Sequence, residues 1–271
     1  MTGHCSTLLF LVVCRWGFYT HGGIDGFSRV IVFLRCTTSN RSEEVLTPFV
    51  NACQQYGLPS RVRSDHGGEN FLVGVLMNVL RGSRRGSFIT GRSVHNQRIE
   101  RLWRDVHKEV THTMYELFYT MEDSGRLDPD NVIHRFALHT VYLCYINSQL
   151  EKFRQAWNAH HLRTGQNKSP NQLWVEGMLH AANSGTSSLV DELHDGQTLC
   201  NRLTSRLVDM GVNPDTMNVE DSGSVNNTFT LTTEQKAELN TLLNTLADSD
   251  LDGRYDQCVQ KLIEFSFNDT E

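Results

Sequence analysis

The chain has 271 residues, enough for one domain of ordinary size with an appendage, and a formal net charge of −6. That average hides a division: residues 1–170 carry 20 Lys and Arg against 14 Asp and Glu, whereas residues 171–271 carry 5 against 17. Seven cysteines, odd in number and without a CxxC pair, argue against a disulfide framework or a zinc ribbon and for free thiols in an intracellular, reducing setting.

Leu8 to Cys14 is apolar but too short to span a bilayer, and no Lys or Arg precedes it, so it reads as a strand and no membrane partner is expected. A second apolar run, Val30–Leu34, follows the glycine-bearing segment His21–Gly26, and the two runs are expected to form a pair of antiparallel strands. Ser42, with Glu44 nearby, starts a helix whose Val45, Phe49, Val50 and Cys53 share one face. After the turn Tyr56–Pro59, Arg61–Asp65 reads as a strand that stops at His66-Gly67-Gly68. A helix over about Asn70–Leu80, a basic loop Arg81–Arg85 and a short strand Ser87–Thr90 come next.

Ser93 is a candidate N-cap for a helix in which Asn96, Glu100 and Arg104 recur every four residues, and Asp123-Ser124-Gly125 ends it. Another helix begins after Asp128-Pro129-Asp130, and its stripe Leu143, Ile146, Leu150, Phe153 and Trp157 has the spacing of core residues. The elements suit a mixed α/β sheet flanked by helices. Residues 181–230 are rich in Ser, Thr, Asn, Asp and Gly and are expected to be partly disordered. Beyond them, Thr232–Gln235 caps a helix with Leu239, Leu242, Leu243 and Leu246 on one face, and Leu262, Ile263, Phe265 and Phe267 close the chain.

Two carboxylates stand out: Asp65 at a strand end and Glu100 on a helix. Delivered from separate rigid elements, such a pair suits Mg²⁺ or Mn²⁺ chemistry on phosphates. The plainer alternative has Asp65 capping a turn and Glu100 pairing with Arg101 or Arg104. Residues 61–104 contain nine arginines and no lysine, the electrostatic footprint expected for a phosphate backbone. Arg81, Arg84, Arg85, Arg92, Asn96, Arg101 and Arg104 are accordingly the candidate nucleic-acid contacts. His160 and His161 have no Cys or His at a ligand spacing and read as surface residues.

Ser64-Asp65-His66-Gly67-Gly68-Glu69-Asn70 resembles the SDxGxEF segment of the retroviral-type integrase and transposase core, and Asn96–Arg104 resembles its NxxxERxxR helix. With Gly22–Arg29, and with Trp157–Thr164 and Ser169–Trp174 as a closing segment, about the first 180 residues are similar to integrase-core proteins that animal genomes carry as descendants of mobile elements. The resemblance implies a ribonuclease H-like core over 1–110, a helical extension over 111–180 and an acidic C-terminal region over 181–271. It also implies DNA as partner, a nuclear location, Mg²⁺ or Mn²⁺ as cofactor, and metal-dependent DNA cleavage or strand transfer with Asp65 and Glu100 as catalytic and metal-holding residues. A second copy of the chain, and a protein partner for the acidic region, are further candidate partners.

That chemistry uses three carboxylates in the family, the first from the central strand of the sheet. No Asp or Glu precedes Asp25, which matches a position that is normally not a ligand, so the chain is expected to begin after the catalytic first strand. The alternative is a catalytically inactive DNA-binding or protein-interaction protein that keeps the basic surface.

Overall fold

The computed structural model describes residues 5–65, 67–82, 84–91, 97–183, 205, 229–247 and 250–268. Strand β1 (Cys5–Val13) leads through a 3₁₀ turn, Cys14–Trp16, into β2 (Phe18–Asp25), and β3 (Ile31–Thr37) completes an antiparallel meander. The sequence suggested a pair of strands here and the structure has three. Gly17, at φ 73°, reverses the chain in a conformation few other residues adopt, and so cuts the first apolar run in two. Gly22 and Gly23, from the glycine-bearing segment between the two apolar runs, lie inside β2.

After β3 come helix α1 (Ser42–Tyr56) and strand β4 (Arg61–Ser64), then α2 (Phe71–Arg81) and β5 (Phe88–Thr90). β4 runs parallel to β1 and β5 parallel to β4, giving the order β3-β2-β1-β4-β5. The expectation that the chain starts beyond the central strand is therefore corrected: Cys5–Val13 holds that place, with Ser6 opposite Asp25 on one side and Val62 on the other. The unbroken apolar run Leu8–Val13 has the composition of a strand covered on both faces, which suits the middle of a sheet.

The two faces carry separate apolar cores. On one, α1 and α2 bury Val45, Phe49, Cys53, Leu72, Leu76 and Met77 against Val32, Phe33 and Val62. On the other, α3 (Gln97–Val106) continues through a π-helical segment, His107–Thr111, into α4 (His112–Asp123). The long helix α5 (Val132–Ala159), capped by the Asn131 side chain on the Ile133 and His134 amides, packs beside them, and α6 (Pro170–Asn183) follows. In the expected stripe of α5, Ile146 and Leu150 are buried, while Leu143, Phe153 and Trp157 pack partly exposed against the same core.

Helix α5 also closes the outer edge of the sheet. Asn147 accepts from Cys36 N (2.9 Å) and donates to Cys36 O (2.9 Å); Asn158 accepts from Ile31 N (2.8 Å) and donates to Ile31 O (3.0 Å). Each amide thus mimics a neighbouring strand. The two asparagines are separated by about 16 Å of helix, and Ile31 and Cys36 by about 16 Å of strand, so both clamps engage at once. An unpaired strand edge invites association with other chains, and this one is covered. Ile31 is fully buried, so Asn158→Ala leaves its N–H and C=O without partners, at a cost of about 1–3 kcal/mol per group. Thermal unfolding at a lower temperature is the expected result; an unchanged melt would show that water replaces the amide.

At the C-terminal end, α7 (Thr233–Thr245) has a capping box between Thr232 and Gln235, as its sequence suggested, and α8 (Leu251–Asn268) packs on α5. Leu239, Leu243, Tyr255, Cys258, Leu262 and Phe265 are buried in the same core as Trp16 and Tyr142. Arg126 forms a bidentate pair with Asp256 (3.0 Å to each oxygen), and the Tyr142 hydroxyl donates to Asp252 (3.0 Å). The acidic end therefore folds back onto the core. The expected partly disordered stretch falls almost wholly on 184–204 and 206–228, outside the described residues. No helix among the described residues is long and apolar enough to cross a membrane.

Candidate functional site

Asp65 follows the last residue of β4 and is half-buried at the sheet end, beside the central strand. Asn70 Nδ2 donates to Asp65 Oδ1 (3.2 Å) and to Glu69 Oε1 (2.7 Å), so one amide bridges two carboxylates. Glu69 and Asn70 belong to a 3₁₀ turn, Gly68–Asn70, which the Ser42 hydroxyl anchors by donating to Gly68 O (3.0 Å). The Glu69 carboxylate lies over Gly67, where an added Cβ would sit 1.8 Å from Oε1. A larger residue at Gly67 would therefore have to displace the Glu69 carboxylate, while the backbone there, at φ −68°, would accept it.

Burial, and then the neighbouring Asp65 charge, push the Glu69 carboxyl above the ordinary carboxylate range. The folded chain holds that proton more tightly than the unfolded chain does, so stability falls as the pH rises through this range toward the raised folded value. Glu69→Gln keeps an oxygen that accepts from Asn70 and removes the charge. The variant is expected to melt at a higher temperature than the unsubstituted protein at neutral pH, with the gap closing in acid. A gap that widened toward acid pH would contradict the assignment.

Glu100 stands exposed on α3 and makes no hydrogen bond or ion pair among the described residues. The ion pairs with Arg101 or Arg104, considered as the plainer reading, are not formed. The helix is held by its opposite face, where Leu102, Trp103 and Val106 are buried. Trp103 packs closely on the glycine in β2: a Cβ on Gly22 would lie 3.2 Å from its Cη2, tighter than an ordinary contact, so a larger residue would push the indole back from the sheet. Gly22 pairs with Leu9 of the central strand, and α3 therefore crosses the sheet at β1 and β2.

The candidate cations divide. Arg101 and Arg104 are exposed one turn apart on α3 and make no hydrogen bond or ion pair among the described residues. Arg84 and Arg85 are exposed in the loop after α2, with Arg85 donating to Ser60 Oγ (3.1 Å). Arg81 instead donates to the carbonyls of Leu58 and Pro59, where it fastens α2 to the turn before β4. Arg92 and Asn96, and the candidate cap Ser93, lie outside the described residues. Lys108 stands exposed beyond Arg104, but its ammonium is paired with Glu109 (3.1 Å), so it does not extend the unpaired cationic surface.

A pair of divalent cations needs several hard oxygen ligands converging from different elements. Asp65 and Glu100 are two; the central strand, CSTLLFLVV, has no carboxylate to add. Asp25 is buried, and its Oδ2 accepts from Phe27 N, Ser28 N and Ser28 Oγ, which commits it to the β2–β3 turn. Among the described residues no three His, Cys, Asp or Glu side chains are placed to hold one ion. Among the described residues, the buried polar atom left without a partner on α3 is Trp103 Nε1, a donor that offers nothing to a cation, and the donor set does not fit a two-metal centre.

The solved structures to which this chain is similar include two of the HTLV-2 integrase catalytic core domain in complex with magnesium. The trimeric form is 13% identical, with a TM-score of 0.36, covering 63% of this chain and 95% of its own. The dimeric form is also 13% identical, with a TM-score of 0.35, covering 64% and 97%. A comparison with curated proteins gave no match. The model of the integrase core domain matches residues 9–188, which is more than half of the chain and spans the sheet, both carboxylates and the exposed arginines, and on that match the chain belongs to the integrase core domain family.

Proposed function

We propose that this protein is an integrase-derived DNA-binding protein that holds duplex DNA on the arginine-bearing surface of α3 and the loop after α2, without metal-dependent strand cleavage by the chain as it stands. The observation that carries the reading is the central strand Cys5–Val13, which has no acidic residue in the place from which the family supplies its first carboxylate. The exposed guanidinium groups of Arg84, Arg85, Arg101 and Arg104 remain available for phosphates, which need no metal to be bound. A nuclear location follows from a DNA partner, and a second copy of the chain is compatible with this role.

The competing reading, Mg²⁺-dependent cleavage or transfer of DNA strands, is favoured by one observation: Asp65 stands beside the central strand and Glu100 is exposed without a partner among the described residues. Binding to a labelled duplex, followed by fluorescence anisotropy, separates the two. Under our reading the affinity falls steeply with salt and is unchanged when Mg²⁺ is replaced by a chelator. Affinity that collapses on chelation would favour the enzyme.

A further inference from the structure

The π-helical segment His107–Thr111, between α3 and α4, changes which side chains meet. His112 N donates to His107 O, five residues back, where an α-helix reaches back four. Two residues five apart on an α-helix point about 140° away from each other. The wider turn brings these two onto one face: the His107 and His112 rings lie 5.7 Å apart between centroids, with their planes at 60°. Both side chains are exposed. A π-helical turn inside an α-helix is rare and frequently marks a functional site.

Each ring is held through its Nδ1. The Thr111 hydroxyl carries one hydrogen, which it donates to His107 O (3.5 Å), so it accepts from His107 Nδ1 (2.9 Å) and the lone pair of that ring is left on Nε2. His112 Nδ1 faces the Glu116 carboxylate at 3.5 Å, one turn further on. Neither Nε2 makes a hydrogen bond or ion pair among the described residues. An imidazole held by an oxygen at one nitrogen, with the other presenting its lone pair, is prepared to bind a metal ion. Two imidazoles sharing one ion at ordinary Zn–N bond lengths have their centroids roughly 5–6 Å apart, and the observed separation falls in that range.

We propose that His107 and His112 together bind a divalent transition-metal cation of the Zn²⁺ class through their two Nε2 atoms. Among the described residues no third His, Cys, Asp or Glu is placed to join them, so water completes the coordination. Imidazole nitrogen suits Zn²⁺, Ni²⁺ and Cu²⁺, whereas Mg²⁺ takes oxygen ligands, which makes this site chemically distinct from Asp65 and Glu100. It follows Arg104 on the same helical run and does not depend on the DNA-binding reading.

The test is calorimetric titration of the metal-free full chain with Zn²⁺, in an excess of Mg²⁺. His107→Ala and His112→Ala are each expected to weaken Zn²⁺ binding by about ten-fold or more, and Glu116→Gln to weaken it less. Asp65→Asn, Glu100→Gln and His161→Ala should leave it unchanged. Both histidines are exposed, and a thermal melt without Zn²⁺ verifies that the variants are folded. The same melt with Zn²⁺ should move the unsubstituted chain to a higher temperature and leave the double variant where it was. Unchanged Zn²⁺ binding in the double variant would overturn the proposal, as would binding that Mg²⁺ abolishes. Binding that needs only one of the two histidines would also overturn it, because the ion would then sit elsewhere.

Discussion

Deleting residues 229–268 is expected to leave a chain that unfolds or aggregates, and not a soluble integrase core. Although the family match ends at residue 188, the last two helices contribute Tyr255, Cys258, Leu262 and Phe265 to the same core as β2, α3 and α5. Burying a large apolar side chain stabilises a fold by roughly 1.5–3 kcal/mol, and a whole domain is stable by only about 5–15 kcal/mol. Losing several such groups at once is therefore comparable with the entire margin. The deletion also strips Asp252 from the Tyr142 hydroxyl and Asp256 from Arg126, and exposes the α5 face that α8 covers. A milder probe is Leu262→Ala, which leaves a cavity at a fully buried position and should cost about 2–5 kcal/mol in chemical denaturation. A truncated chain that melted like the full one would show α7 and α8 to be an appendage, free to serve as a separate acidic arm for a protein partner.

The second large effect is on DNA. Reversing Arg101 and Arg104 together is expected to lower duplex affinity by about two orders of magnitude at low salt and to flatten its salt dependence. Each phosphate contact contributes about 0.9 to the slope of log affinity against log salt, so two lost contacts reduce the slope by about 2. Neither arginine supports the fold: both are exposed, while Leu102, Trp103 and Val106 hold the helix from its other face. A folded double variant with unchanged affinity would move the DNA away from α3. Arg81→Glu is the instructive contrast, because its guanidinium bonds the Leu58 and Pro59 carbonyls and its loss should lower stability before it lowers affinity.

The elements that depend on local pattern were legible in the sequence: the α1 face, the α5 stripe, the Thr232–Gln235 capping box and the β4 strand that presents Asp65. What depended on distant partners was not. The surroundings of Gly22 and Gly23, with Trp103 above one and Phe33 beside the other, come from elsewhere in the chain. The place of β1 in the sheet follows from pairing with β2 and β4, which composition does not report. Asn147 and Asn158 carry no local signal of an edge clamp, and the docking of α8 on α5 does not follow from an acidic composition. At the site, Asp65 and Glu100 were visible as carboxylates on separate elements. The Glu69–Asn70 bridge was missed, although both residues stand in the same short motif, because the direction in which the Asn70 amide points is set by the folded turn and not by the motif.

The claim that DNA binding persists without strand chemistry is tested most directly by incubating the full chain with supercoiled plasmid in Mg²⁺ and in Mn²⁺, beside Asp65→Asn and Glu100→Gln. The account predicts that all three proteins bind the plasmid and that none nicks it above the level seen with a chelator. Metal-dependent nicking by the unsubstituted chain, abolished by either carboxylate substitution while binding is kept, would contradict it and establish an enzyme.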